Sequence, residues 1–276
     1  MVRWANILSS AFKVSNGVRQ GGIMSPVLFN VYMDDLSHLL SNSNVGCVID
    51  SVVCNHLFYA DDSVLVAPSP EALRRLINIC EQFPQENDMV YNQKKTKCMF
   101  IKPKKLRDLE APPPQHLYGH NLEWVSEYKY LGVFITNDLL DDRDIRRQSR
   151  SLYARGNMLI RKFSKCSPEV KLQLFNSYIG NMYCSWKTFS KKTHDSVCVA
   201  YNNVFRILMS IQRKCSVSSH YVSNNVDCFI VLSRKLIVCF RKRLFDSDNI
   251  IIKSIVHSAH FNLSSLLSKR WQKIAF

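Results

Sequence analysis

The spacing of apolar positions changes several times along the first half of the chain, and each change predicts a different element. Leu57-Phe58-Tyr59 and Val64-Leu65-Val66 are short apolar runs, rich in aromatic and β-branched residues, on either side of Asp61-Asp62. That pattern predicts a β-hairpin with the acidic pair at its tip. Upstream, Phe12-Lys13-Val14 and Val18 bracket Ser15-Asn16-Gly17, and Asn-Gly is a strong hairpin-turn signal. Leu28, Tyr32, Leu36 and Leu39 then recur at helical spacing, which predicts a helix with Ser25 as N-cap and Pro26 as its first residue. A second helix is expected from Ser69-Pro70-Glu71, with Leu73, Leu76, Ile77, Cys80 and Phe83 facing inward. Residues 92–101 read as a strand. Lys102, Lys104, Lys105 and Pro112-Pro113-Pro114 mark an exposed loop. For Tyr128-Lys129-Tyr130-Leu131-Gly132-Val133 the bland alternative is a buried strand ended by a glycine bulge.

From Asp141 the spacing becomes helical and basic. Ile145, Leu152, Tyr153, Leu159, Ile160 and Phe163 form an apolar stripe, with Arg146, Arg147, Arg150, Arg155, Arg161 and Lys162 between them. Ser167-Pro168-Glu169 starts a further helix. Tyr183 and Trp186 offer either aromatic core packing or stacking on bases. After about residue 215 the pattern supports only a basic, mostly helical region.

Composition narrows the class. With 276 residues, 46% hydrophobic and 21% charged, the chain has the make-up of a folded protein with a sizeable core. No apolar run approaches the ~20 residues that cross a bilayer, and the start of the chain does not read as a signal peptide. The expectation is an intracellular protein, nuclear or cytoplasmic, with no membrane partner. Ten cysteines are scattered without a Cys-x-x-Cys, which favours reduced core thiols over disulfides and gives no zinc site. Charge is uneven. Residues 1–142 hold 13 Lys+Arg and 16 Asp+Glu, a balance of −3, whereas residues 143–276 hold 24 and 6, a balance of +18. A cationic half-chain is the footprint of a nucleic-acid partner; a solvated helical surface or an acidic protein partner would also account for it.

Two neighbouring carboxylates at a hairpin tip repel each other and resist desolvation. They become favourable against divalent cations, and Mg²⁺ commonly takes one or two carboxylates plus water and substrate phosphates. Two such ions could clamp the attacking and leaving oxygens of a phosphoryl transfer. In Arg19-Gln20-Gly21-Gly22, the paired glycines let backbone approach a ligand closely, and Arg19 can meet a phosphate.

Tyr59-Ala60-Asp61-Asp62 resembles the active-site box of reverse transcriptases, in the form found in non-LTR (LINE-type) retrotransposons and group II introns. Gly17-Val18-Arg19-Gln20-Gly21-Gly22-Ile23-Met24-Ser25-Pro26 resembles the family box that contacts template and incoming nucleotide. Asn92–Ile101 is similar to the box whose lysine lies near the departing pyrophosphate, here Lys94 or Lys95; a basic turn before a core strand is the alternative. Tyr128–Val133 matches the box that supports the primer end. Tyr32-Met33-Asp34-Asp35 spells the acidic box of retroviral enzymes, but its helical setting makes Asp34 and Asp35 surface residues.

The resemblance spans roughly residues 1–250 and implies an α+β fold. A partial polymerase palm (an antiparallel sheet with packed helices) over 1–136 would be followed by a helical, thumb-like region over 137–215 and a basic C-terminal region over 216–276. It implies an RNA-directed DNA polymerase with Asp61 and Asp62 as catalytic metal ligands for Mg²⁺ or Mn²⁺. Arg19, Gln20, Gly21, Gly22, Tyr59, Lys94 and Lys95 would bind template and nucleotide, and Tyr130, Leu131 and Gly132 would seat the primer. The implied partners are an RNA template, a DNA primer and deoxynucleoside triphosphates. Family members carry another catalytic aspartate in an earlier box, and no aspartate here precedes Asp34. The expectation is therefore a fragment without fingers or first palm strands, inactive alone and open to association along an exposed sheet edge. The rival readings are a non-catalytic nucleic-acid-binding remnant and a maturase-like protein of group II introns.

Overall fold

The computed structural model describes residues 1–13, 17, 21–86, 89–101, 112–180, 190–258 and 261. In chain order its elements are β1 (Arg3–Trp4), β2 (Ile7–Leu8), α1 (Ser25–Asn42), β3 (Cys47–Ile49), β4 (Val52–Cys54), β5 (His56–Tyr59), β6 (Asp62–Leu65) and α2 (Pro70–Glu86). They continue with β7 (Lys97–Cys98), β8 (Gln115–Leu117), β9 (His120–Trp124), β10 (Glu127–Tyr130) and β11 (Val133–Thr136). Five helices follow: α3 (Asp142–Phe163), α4 (Pro168–Tyr178), α5 (Lys191–Leu208), α6 (Ser218–Ser223) and α7 (Phe229–Phe245), and then α8 (Ile250–His257) closes the described fold. The protein is thus mixed α+β, with small sheets and a helical second half. No described helix is long and apolar enough to cross a membrane. The Asn16 turn, Arg19, Gln20, Lys102, Lys104, Lys105, Tyr183 and Trp186 lie outside the described residues.

The chain divides into two compact units: Met1–Val48, Val53–Tyr91 and His116–His120 form the first, and Ile49–Val52, Asn92–Gln115 and Asn121–Phe276 the second. In the first unit, α1 packs on α2 through Met33, Leu36, Leu40, Leu76, Cys80 and Phe83, all buried. The α2 stripe is as expected, and its start is capped by Ser69, whose Oγ accepts from Ala72 N at 3.2 Å. Burial pushes the Cys80 thiol up to about 12. Two expectations for α1 are corrected. Ser25 is the first helical residue and Met24 is the cap, because the turn closed by Ser25 N on Gly22 O (3.2 Å) has wound the chain before Ser25 is reached. The buried face is Met33, Leu36 and Leu40, whereas Leu28 and Leu39 are exposed. Apolar residues occur on more than one side of this helix, and the α2 partner decides which side is covered.

In the second unit, β7 pairs in parallel with β9, Cys98 opposite Trp124, and β10 pairs antiparallel with β11, Tyr130 opposite Val133. Residues 92–101 are not one strand. Asn92 O accepts from both Lys95 N (3.1 Å) and Thr96 N (2.9 Å), and its Oδ1 also accepts from Lys95 N, so Lys94 and Lys95 lie in a turn and only Lys97–Cys98 is extended. Asp144, fully buried near the start of α3, accepts from Phe134 N (3.0 Å), Arg147 Nε (2.8 Å) and Gln148 Nε2 (2.9 Å), which fastens the β10–β11 hairpin to the helices. The α3 stripe emerges as Ile145, Leu152 and Leu159, with Tyr153 exposed. The core beyond it centres on Phe175, edge-on to Tyr201 and Phe205 at 5.0 Å from each.

Gly156 allows α3 to approach α5 closely: a Cβ there would stand 2.6 Å from Val204 Cγ1. Helix propensity favours alanine by about 1 kcal/mol, but overpacking costs about 1–3 kcal/mol. Gly156→Ala is therefore expected to lower unfolding stability in urea; a variant more stable than the parent would show that the helices separate at no cost.

Candidate active-site hairpin and primer box

Tyr59 pairs with Asp62, Phe58 with Ser63 and Leu57 with Val64, which leaves Ala60-Asp61 as a two-residue turn. The expected hairpin with its acidic tip is therefore present. Ala60 is left-handed (φ 50°), a conformation costing an L-residue roughly 1–2 kcal/mol. Tyr59, Asp61 and Asp62 are exposed. A strained turn that holds two carboxylates and a tyrosine in water, on strands that run into a buried core, has the geometry of a presenting device.

Polar side chains behind the turn anchor the hairpin. Asn55, buried, donates through Nδ2 to Leu40 O and Val45 O, at 2.7 Å each, at the end of α1. Those two bonds orient the amide so that Oδ1 faces His56 Nδ1 at 2.7 Å. The Nδ1 of His56 must then carry a proton, and in the neutral ring Nε2 accepts from Ser37 Oγ at 2.8 Å. Val66 N donates to Asn55 O at 2.8 Å and ties the far end of the hairpin to the same residue. Gly46 makes room: a Cβ would lie 2.5 Å from Asn55 Cβ, and its φ of 151° suits glycine. Burial depresses the His56 pKa below its ordinary value of 6.5. Tyr91, close to Ser63 and Cys80, is pushed up chiefly by burial.

Asp34 and Asp35 are exposed on α1, with Asp34 3.5 Å from His38 one turn on, so the second Tyr-x-Asp-Asp string is helix surface. Gly21 is exposed and left-handed (φ 78°), with open space where a side chain would stand. The hairpin, α1 and Gly21-Gly22 belong to the first unit, whereas Lys94, Lys95, Tyr130, Leu131 and Gly132 belong to the second.

The Tyr128–Val133 box is an exposed hairpin, so the alternative reading of it as a buried strand ended by a glycine bulge does not hold. Leu131 (φ 45°) and Gly132 (φ 79°) are both left-handed, as a type I′ turn requires, and Leu131 is 48% exposed. Tyr128 Oη donates to Lys95 O at 3.2 Å. Arg143 clasps Glu127 through Nε (3.0 Å) and Nη2 (3.3 Å), and its guanidinium lies 4.8 Å from the Phe134 ring centre.

Asp61 and Asp62 are hard oxygen donors of the kind Mg²⁺ takes. Among the described residues no cluster of three or more acidic, histidine or cysteine side chains could hold a metal. The pair fits part of such a site.

Residues 2–135, just under half the chain, match the family model described as "Reverse transcriptase (RNA-dependent DNA polymerase)". The chain is 31% identical over 133 residues to the "Retrovirus-related Pol polyprotein from type-2 retrotransposable element R2DM" of Drosophila melanogaster, covering 46% of this chain and 12% of that protein. It is 32% identical over 130 residues to the "Retrovirus-related Pol polyprotein from type-1 retrotransposable element R2" of Nasonia vitripennis, covering 43% and 12%. Residues 2–135 are similar to the reverse-transcriptase family and to segments of R2 retrotransposon Pol polyproteins. The match to each relative spans about an eighth of that relative's length. The matched segment contains the acidic turn, its Asn55–His56 anchor and the Leu131-Gly132 turn. Sequence reasoning missed Ser37, Asn55 and His56; their one signal was a polar pair, Asn55-His56, opening an apolar run.

Asn55→Ala removes the amide donor to Val45 O and the acceptor of the His56 N–H, while Leu40 O keeps Ser43 N and Oγ, and is expected to cost about 2–4 kcal/mol in urea unfolding. The His56 sign is also fixed. Unfolded histidine takes a proton as pH falls through about 6.5, while the buried ring resists it. The stability from neutral His56 is thus complete above that value and declines as pH falls toward the depressed one. Between pH 7.5 and 5 the parent should lose more stability than His56→Gln; equal losses would show that His56 contributes nothing.

Proposed function

We propose that this chain is the C-terminal palm and thumb portion of a non-LTR reverse transcriptase, with a palm segment to about residue 136 and a basic, thumb-like helical region after it. The observation that carries the proposal is the strained, exposed Ala60-Asp61 turn within the family match, anchored from behind by Asn55. The inherited reaction is RNA-templated DNA synthesis, in which a primer 3′-hydroxyl attacks the incoming nucleotide and pyrophosphate departs. Asp61 and Asp62 would hold the divalent cation, Mg²⁺ or Mn²⁺; when bound, it supplies charge neutralisation at the transferring phosphate. Tyr59 stands beside them on the same hairpin. Arg19, Gln20, Gly21 and Gly22 would position template and nucleotide, and Lys94 or Lys95 would balance charge near the departing pyrophosphate. Tyr130, Leu131 and Gly132 would seat the primer end.

The partners proposed are an RNA template, a DNA primer and deoxynucleoside triphosphates. Four sheets (β1–β2, β3–β4, β5–β6 and β10–β11) are two-stranded among the described residues. Each keeps backbone edges through which a further chain could add strands. The balance of +18 over residues 143–276 favours a second reading, in which the chain binds nucleic acid and the acidic turn is idle.

Primer extension on an RNA template with Mg²⁺ or Mn²⁺, run beside duplex binding, separates these readings. We expect binding that weakens steeply with salt, and extension far below that of an intact enzyme. Any extension is expected to disappear in Asp61→Asn, with binding unchanged. Extension that persists in that variant would remove Asp61 from the site, and binding with no extension by either form would leave the second reading.

A further inference from the structure

A two-residue turn between paired strands leaves one register, and that register sets particular side chains face to face. Asp50 (φ 47°) and Ser51 (φ 70°) are both left-handed, the conformation of a type I′ turn, and they join the paired strands β3 and β4. Counting outward from this turn places Ile49 opposite Val52, Val48 opposite Val53 and Cys47 opposite Cys54. The next rung agrees. Gly46 stands against Asn55, where an added Cβ would lie 2.5 Å from Asn55 Cβ and 3.2 Å from Cys54 O.

Opposed residues of an antiparallel pair point to the same face with Cα atoms ~4.5–5.5 Å apart, within the ~4.4–6.8 Å that a disulfide spans. Both thiols are free, Cys47 half-buried and Cys54 buried. Burial, and then the Cys47 sulfur beside it, raise the Cys54 pKa above its ordinary value. Cys47 is therefore the thiol that a reagent in solution reaches first. Asn55 directly follows Cys54, and its amide fastens the acidic hairpin to the end of α1. A link between the two sulfurs would close on the rung next to that amide.

We propose that Cys47 and Cys54 are a reversible disulfide site, closed by a small-molecule disulfide such as oxidised glutathione, that staples β3 to β4 at the root of the acidic hairpin. The Cys47 thiolate attacks the small disulfide, whose S–S bond breaks; one small thiol leaves and a mixed disulfide forms. The Cys54 thiolate then attacks Cys47 Sγ, expels the second small thiol and leaves an S–S bond between the strands. Its low thiolate fraction is offset by a fixed position beside the Cys47 sulfur. The protein thiols give up two electrons and two protons, which end on the two departing thiols. Excess small thiol runs the exchange backward. The staple touches neither carboxylate. It restrains local opening of the strands that carry them, whichever chemistry Asp61 and Asp62 perform.

The experiment holds the full chain at graded ratios of oxidised to reduced glutathione and then weighs the peptide that carries both cysteines. That peptide should lose two hydrogens without gaining glutathione, and dithiothreitol should restore them. In the bridged protein, amide exchange over residues 55–66 should slow roughly tenfold, while exchange in α5 stays unchanged. Cys47→Ser, at the half-buried position, should lose the bridge and the slowing together; Cys239→Ser, at an exposed cysteine on α7, should keep both. Glutathione that stays on Cys47 with no bridge overturns the site, and a bridge that leaves exchange over 55–66 unchanged overturns the staple. Neither result bears on the polymerase reading, which primer extension tests separately.

Discussion

One buried amide fixes the end of α1 and the start of the acidic hairpin to the same point. Asn55 spends both Nδ2 hydrogens on carbonyls of the α1 terminus and the residues after it, and turns its oxygen to His56. A buried polar group is costly without partners and specific with them. An apolar side chain of similar size would fill the space but give Val45 O no amide donor and the His56 N–H no acceptor. Gly46 belongs to the same arrangement, because any side chain there would occupy the position of Asn55. The acidic turn itself contributes strain and repulsion, so its position derives from this anchor five residues away.

Asp144 plays a comparable part in the second unit. It is an anion with no exposed surface, held by a backbone N–H, a guanidinium and an amide, and it joins β11 to α3. Hydrophobic packing in both units determines which faces are covered; buried polar contacts determine how the β5–β6 and β10–β11 hairpins stand on those faces. The division is physically reasonable. Apolar contacts are non-directional, whereas hydrogen bonds weaken steeply away from their preferred angle.

The legible features were those with a local cause. The hairpin over residues 57–66 follows from its aromatic and β-branched runs, and the α2 face from an unbroken helical period capped by Ser69. Features set by distant partners were not legible. The phase of α1 depends on α2, so Leu28 and Leu39 read as core while Met33 and Leu40 occupy it. Asn92 looks like one polar residue among several, yet it closes the turn that keeps Lys94 and Lys95 out of a strand. Asn55, His56 and Asp144 resemble surface residues in the sequence, because a letter code does not show which polar groups will be covered. Arg19, Gln20 and Gly21 were read from motif alone, and the left-handed backbone of Gly21 was no part of that reading.

The two cores have a consequence for how the molecule comes apart. Met33, Leu36, Leu40, Leu76, Cys80 and Phe83 form one cluster, and Phe175, Tyr201, Phe205 and their neighbours form another with different members. Cooperativity follows shared buried contacts, so separate clusters allow separate openings. A protease that clips the opened first unit would remove the acidic hairpin and leave the helical, cationic part intact. The clipped molecule would keep the residues that carry the +18 balance and lose the acidic turn, without any mutation.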